Sequence, residues 1–225
     1  MRSLTNQSSD AHIDRLSTRL GRLWENVGDR DQIEGLVAAL DARYQLGKKL
    51  AREEGVQDIL EQMVGRIARA FERISNVHGK RILDIASGSN TSLAPSSLYV
   101  NAPLGERRIG PEMKGYTALF EPWFCRILVE MSANPVGVDM GDLEGEVFEH
   151  YHVDLRQLGA LNFFPARSFD AVQDSRLFGS PEFSVQFPNP NDRLRLAAEI
   201  WRQEQRVLKT GVLIIHSDAR ELLGR

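Results

Sequence analysis

The stretch Lys80-Arg81-Ile82-Leu83-Asp84-Ile85-Ala86-Ser87-Gly88-Ser89-Asn90 narrows the fold more than any other part of the chain. Ile82, Leu83 and Ile85 form a short apolar run, which reads as a buried parallel strand. The small residues that follow let the backbone turn tightly and approach a ligand at the carboxyl edge of a sheet, where open α/β folds bind. Four further runs of this kind come later: 135–139, 151–155, 168–174 and 208–216. Several end in or beside an acid, namely Asp139, Asp154 and Asp174. A dinucleotide fold needs one such acid, about 20 residues beyond its glycine loop. Here Asp139 comes much later, and Asn90 stands where a later glycine is expected. An NAD-dependent oxidoreductase is therefore the weaker enzymatic reading.

The ordered set resembles the class I S-adenosylmethionine-dependent methyltransferases. Residues 83–90 lie where that family carries an LDLGCGxG-like loop. Asn162-Phe163-Phe164-Pro165-Ala166-Arg167-Ser168-Phe169-Asp170-Ala171-Val172 is close to its PFPDxSFDxV segment. Leu208-Lys209-Thr210-Gly211-Val212-Leu213 is similar to its LKPGGxL segment, one residue shorter and with Thr210 for the proline. The resemblance covers residues 80–218. It implies a Rossmann-like α/β domain with strand order 3-2-1-4-5, in which the family's last two strands are missing. A helix, a loop or a second subunit in a homodimer would then cover the exposed sheet edge.

The resemblance also implies S-adenosylmethionine as cofactor and methyl transfer to a small-molecule acceptor. Asp84 would hold the amino group of the methionine part. Ala86, Ser87 and Gly88 would let the backbone pass close to it, with Ala86 and Asn90 at positions where the family prefers glycine. Asp139 would accept hydrogen bonds from the ribose diol, and Met140 would lie against adenine. Asp154 and Leu155 would meet the adenine amino group and ring. Asp174, followed by Ser175 and Arg176, would sit where the methyl faces the acceptor. Each acid has a plainer reading as a carboxylate that caps a loop. Catalytic candidates are weak: His216 at the end of the fifth run could act as a base, and Asp174 lies near the same edge. His150 and His152 share a strand face without a third ligand, so no metal is expected. A non-catalytic binding or assembly protein built on the same fold remains a different class of function.

Residues 1–79 read as a helical extension placed as a lid, and 80–225 as the cofactor-binding domain. Apolar stripes at helical spacing run through Ile13, Leu16, Leu20, Leu23, Trp24 and Val27, through Ile33, Leu36, Val37, Leu40 and Tyr44, and through Val56 to Ile74. Residues 91–120 make a long insertion after the first strand, where such loops usually run about 2–6 residues. It reads as a substrate-facing flap. A helix is predicted to start near Glu121-Pro122, with Trp123, Phe124, Ile127, Leu128 and Met131 inward. Another is predicted after Asn189, with Leu196, Ile200, Trp201 and Val207 inward.

Of the 225 residues, 42% are hydrophobic and 26% charged, an ordinary globular balance. The net charge of −3 gives no global attraction to nucleic acid or anionic lipid. Cys125 is the one cysteine, which excludes an internal disulfide and a cysteine-based metal site. No apolar run approaches a membrane span, and the polar start lacks a signal-peptide core. The cytoplasm is the expected compartment.

Overall fold

The computed structural model describes residues 30–45, 77–89, 121–141, 143–174, 177, 178, 183, 187–211 and 214–224. Five strands form one parallel sheet: β1 Arg81–Ile85, β2 Asn134–Asp139, β3 Glu149–His152, β4 Ala171–Asp174 and β5 Ile214–Ser217. Their order is β3-β2-β1-β4-β5. The chain moves outward from β1 through β2 to β3, then returns to the other side of β1. The switch point lies between β1 and β4. The five runs lie in a parallel α/β sheet, in the order that the resemblance implies, and the arrangement is compatible with a Rossmann-like fold.

Helix α2, Trp123–Glu130, leads into β2, and α3, Pro190–Val207, leads into β5. Helix α1, Arg30–Tyr44, precedes the sheet, and the short α4, Asp218–Leu222, follows it. Alternation along the strands separates the two faces. Leu83, Ile85, Val136, Val138 and Val172 share a core with Leu196, Ala197, Ile200 and Val207 of α3. Asp84 points the other way, toward Cys125 of α2. α2 and α3 therefore lie on opposite faces of the sheet.

Local signals explain the helix ends. Asn189 accepts the amide hydrogen of Asn191 at 2.9 Å, and Pro190 begins the helix. Trp123, Phe124, Ile127 and Leu128 are buried as their spacing predicts, while Met131 caps the helix end and is half-buried. Within residues 1–79, α1 buries Leu36 and Leu40 and lies on α2. Arg43 pairs with Glu130 at 3.1 Å, and the Tyr44 ring meets Trp123 edge-on at 5.9 Å. The other predicted N-terminal stripes and the 91–120 flap lie outside the described residues.

Strand limits differ from the apolar runs at two places. β3 ends at His152, before Val153 and Leu155, which turn into the core. β4 begins only at Ala171, because Asp170 accepts the Arg81 amide hydrogen at 2.9 Å and pairs with Lys209 at 2.6 Å. Among the described residues, the sheet edges are β3 and β5. No helix among the described residues is long and apolar enough to cross a membrane.

Candidate functional site

Register brings the ends of β1 and β2 side by side: Asp84 lies beside Gly137, and Ile85 beside Val138. The Ser87 amide extends the ladder to the Val138 carbonyl at 3.1 Å. Asp139 then ties the two following loops together. Its carboxylate accepts the Gly88 amide hydrogen at 2.9 Å and the Gly141 amide hydrogen at 2.7 Å. Gly88 has a φ of 93°, which suits glycine. A Cβ on Gly141 would strike the Ser89 side chain, so the loops approach too closely for any other residue. Burial raises the Asp139 carboxyl above its ordinary range, against the lowering effect of the Gly141, Gly88 and Met140 amides.

Ala86, Ser87, Gly88, Asp139 and Met140 are thus gathered at one point of the carboxyl edge. Ala86 has a φ of 58°, left-handed backbone in a residue that carries a Cβ. Met140 is half-buried. Asn90 lies outside the described residues, as do Ser175 and Arg176.

Asp84 is 1% exposed and accepts a hydrogen bond from the Cys125 thiol at 3.7 Å. Burial, with the neighbouring Asp84 charge, pushes that thiol well above its usual range. Cys125 therefore stays protonated and is a neighbour of Asp84 rather than a nucleophile. Position 125 falls inside the amphipathic helix predicted near Glu121-Pro122, but the sequence carries no sign of its contact with Asp84.

Asp154 adjoins the cluster, since the Val153 amide donates to the Asp139 carbonyl at 2.8 Å. Its carboxylate is held by Arg156 at 2.7 and 2.8 Å and takes the Arg156 amide at 3.1 Å. The Arg156 hydrogen bond keeps its pKa below the ordinary value. Here the turn-carboxylate reading describes the geometry. Leu155 is 6% exposed and belongs to the core on the α3 side.

Asp174 and His216 stand on the other side of the switch point. Asp174 is fully buried and accepts the amide hydrogens of Asp218 at 2.7 Å and Ala219 at 3.0 Å. It caps the start of α4. Burial, then the nearby Asp218 charge, raises its carboxyl to about 6. Glu204 lies behind it on α3, also fully buried, and the sequence reading missed it. The signal was present, because position 204 follows Leu196 and Ile200 on the buried helical stripe.

His216 shares a face with Gln173, its partner across the ladder. One ring nitrogen lies 2.7 Å from Asp218 and the other 3.6 Å from Glu221. The Asp218 hydrogen bond raises the imidazole pKa, with burial opposing it. His216, Asp218 and Glu221 offer ligand atoms within 4.8 Å of one another. Both ring nitrogens nevertheless face carboxylates, the arrangement of an imidazolium rather than of a metal-binding imidazole.

No protein family matches the chain, and neither does any curated protein or solved structure.

Proposed function

We propose that the chain binds S-adenosylmethionine over the ends of β1 and β2 and transfers its methyl group to a small-molecule acceptor. The observation that carries this reading is Asp139, a strand-end carboxylate that joins the glycine-containing loop after β1 to the turn after β2. A carboxylate has about four lone-pair directions. The bonds from Gly88 and Gly141 leave acceptor capacity for a ribose hydroxyl. Asp84, one strand over, supplies a negative charge suited to an ammonium group.

The sulfonium of the cofactor is already a reactive methyl donor. What this chain's residues contribute is alignment of the acceptor with the S–CH₃ bond and exclusion of water. Asp174 is sealed from the cleft and takes no proton from an acceptor. His216, half-buried and oriented by Asp218, is the one base that the earlier candidates leave. It serves hydroxyl acceptors once it is deprotonated.

Three features favour a second reading, a binding protein of the same fold without turnover. Arg156 occupies the Asp154 carboxylate, Leu155 is committed to the core, and Ala86 stands in left-handed backbone.

Calorimetric titration with S-adenosylhomocysteine, S-adenosylmethionine and NAD tests the first reading. S-adenosylhomocysteine should bind and raise the melting temperature, since native-state binding adds about 2.7 kcal/mol at a hundredfold excess over Kd. Asp139→Ala should weaken that binding by roughly tenfold to a hundredfold, because a hydrogen bond to a charged group is worth about 1.5–3 kcal/mol. Absence of binding at millimolar ligand removes the cofactor assignment. Tight binding by the Ala variant removes the ribose assignment alone. Binding without methyl transfer to any of a panel of hydroxyl and amine acceptors favours the second reading.

A further inference from the structure

Asp174, Glu204 and Ser217 come from three elements and meet in the dry interior on the α3 face of the sheet. Their exposures are 0%, 0% and 4%. The Ser217 hydroxyl lies 2.7 Å from Glu204 Oε2 and 3.4 Å from Asp174 Oδ2. It has one hydrogen to donate, and the shorter distance assigns it to Glu204. The same oxygen accepts the Arg220 amide hydrogen at 3.0 Å, and so caps α4. Each oxygen of Asp174 accepts a backbone amide, from Asp218 and from Ala219. That pattern suits a carboxylate. Glu204 Oε1 has no hydrogen-bond partner among the described residues.

No Lys or Arg among the described residues pairs with these two acids, and the His216 imidazole, which feels the Asp174 charge, is held by Asp218. The charged group nearest them on α4 is Asp218, itself an acid, which turns its carboxylate to His216. On α3, Arg206 donates to the carbonyls of Leu161 and Phe164 and to Gln203. Two buried carboxylates without a counter-charge cannot both ionise at ordinary cost.

We propose that Glu204, Asp174 and Ser217 form a proton-dependent latch that holds α4 and the end of β5 against α3. With Glu204 neutral, Asp174 can remain a carboxylate and cap α4, and Ser217 has a single anionic neighbour. When Glu204 loses its proton, two anions face each other without water. Separation of the β5–α4 segment from α3 relieves that repulsion by letting solvent in. The latch operates independently of any ligand at β1 and β2.

Burial, with the Asp174 charge adding to it, pushes the Glu204 carboxyl well above its ordinary range. A carboxyl raised in this way holds its proton more tightly folded than unfolded. Its stabilising effect is complete below the ordinary carboxylate range and is lost as pH rises through the folded-state value. Asp174, raised to about 6, acts in the same direction. So does the His216 imidazole, a raised base whose contribution also fades as pH rises.

The test is urea unfolding of the full chain between about pH 5 and about pH 8. Parent and Glu204→Gln are compared, both carrying His216→Gln so that the imidazole drops out. Glutamine keeps the neutral shape, with a carbonyl able to accept from Ser217. The parent midpoint should fall across the window, and the Glu204→Gln midpoint should fall less, keeping only the part that Asp174 contributes, and lie higher at the upper end. Infrared spectra of the parent at neutral pH, with glutamate isotopically labelled, should show a protonated carboxyl band. Parallel urea profiles overturn the latch. So does the lack of that band, which decides the matter even if the Gln variant does not fold.

Discussion

Arg126 on α2 and Glu204 on α3 hold matching posts, each a charged residue on the buried side of a crossover helix. The two faces of the sheet treat them differently. Arg126 is 3% exposed, yet Glu146 lies 2.6 Å from its Nη2, Glu121 takes its Nη1, and the Tyr44 and Trp123 rings lie 4.2 and 4.6 Å from its carbon centre. Burial opposes its charge, but the hydrogen bonds to Glu146 and Glu121 outweigh that and raise its pKa. Among the described residues, the polar side chains at Glu204 are acids and a hydroxyl, and a proton does the work that the cation does on the other face. A buried charge thus needs either a counter-charge with matching hydrogen bonds or neutralisation.

The contrast extends to what each cluster joins. Arg126 connects α2 with Glu121 just before its start, with the β2–β3 connection through Glu146, and with α1 through Tyr44. It ties α1 to the β1–β2 half. Arg126→Ala would strand Glu121 and Glu146 without their cation, and breaking a buried pair costs about 3–5 kcal/mol. A large drop in the urea midpoint at every pH is the expected result. A loss below about 1 kcal/mol would mean that the carboxylates find water, and the comparison with Glu204 would lose its basis.

Asp174→Asn is the next step down. Both oxygens of Asp174 accept amide hydrogens, so an asparagine presents an NH₂ where one acceptor is needed. The cost should be about 1–3 kcal/mol, the range for leaving a buried group unsatisfied. Unlike Glu204→Gln, this change should harm the fold at all pH values. If Asn proved stabilising at neutral pH, Asp174 rather than Glu204 would be the acid that prefers to be neutral.

These differences were only partly legible in the chain. Five apolar runs in order suffice to place a parallel sheet and both crossover helices, because burial on both faces and helical spacing leave strong periodic marks. The strand-end acids leave no such marks. Asp84, Asp139, Asp154 and Asp174 look alike in sequence, since each follows or ends an apolar run. Their fates depend on what arrives from elsewhere in the chain: the Cys125 thiol, the Gly88 amide, the α4 amides that reach Asp174. Asp154 alone has its main partner nearby in sequence, Arg156 two residues on. Val153 and Leu155 show a related limit, because the apolar run there signalled burial in the core and not strand pairing.

The smallest predicted effect concerns Ala86, where the β1 loop departs toward Asp139. Its φ of 58° places an alanine in left-handed backbone, which costs about 1–2 kcal/mol relative to right-handed conformations. Ala86→Gly removes that cost. Glycine also brings greater freedom to the unfolded chain, a penalty of about 0.5–1 kcal/mol. The Ala86 methyl packs against the core on the α3 side, and its loss subtracts a little more. The balance is a gain of a few tenths of a kcal/mol up to about 1 kcal/mol, read as a small rise in urea midpoint with the slope unchanged. A loss on Ala86→Gly would show that the methyl's packing outweighs the backbone strain. The alanine would then be held by the core beneath it, and the loop's approach to Asp139 would be set from the α3 face.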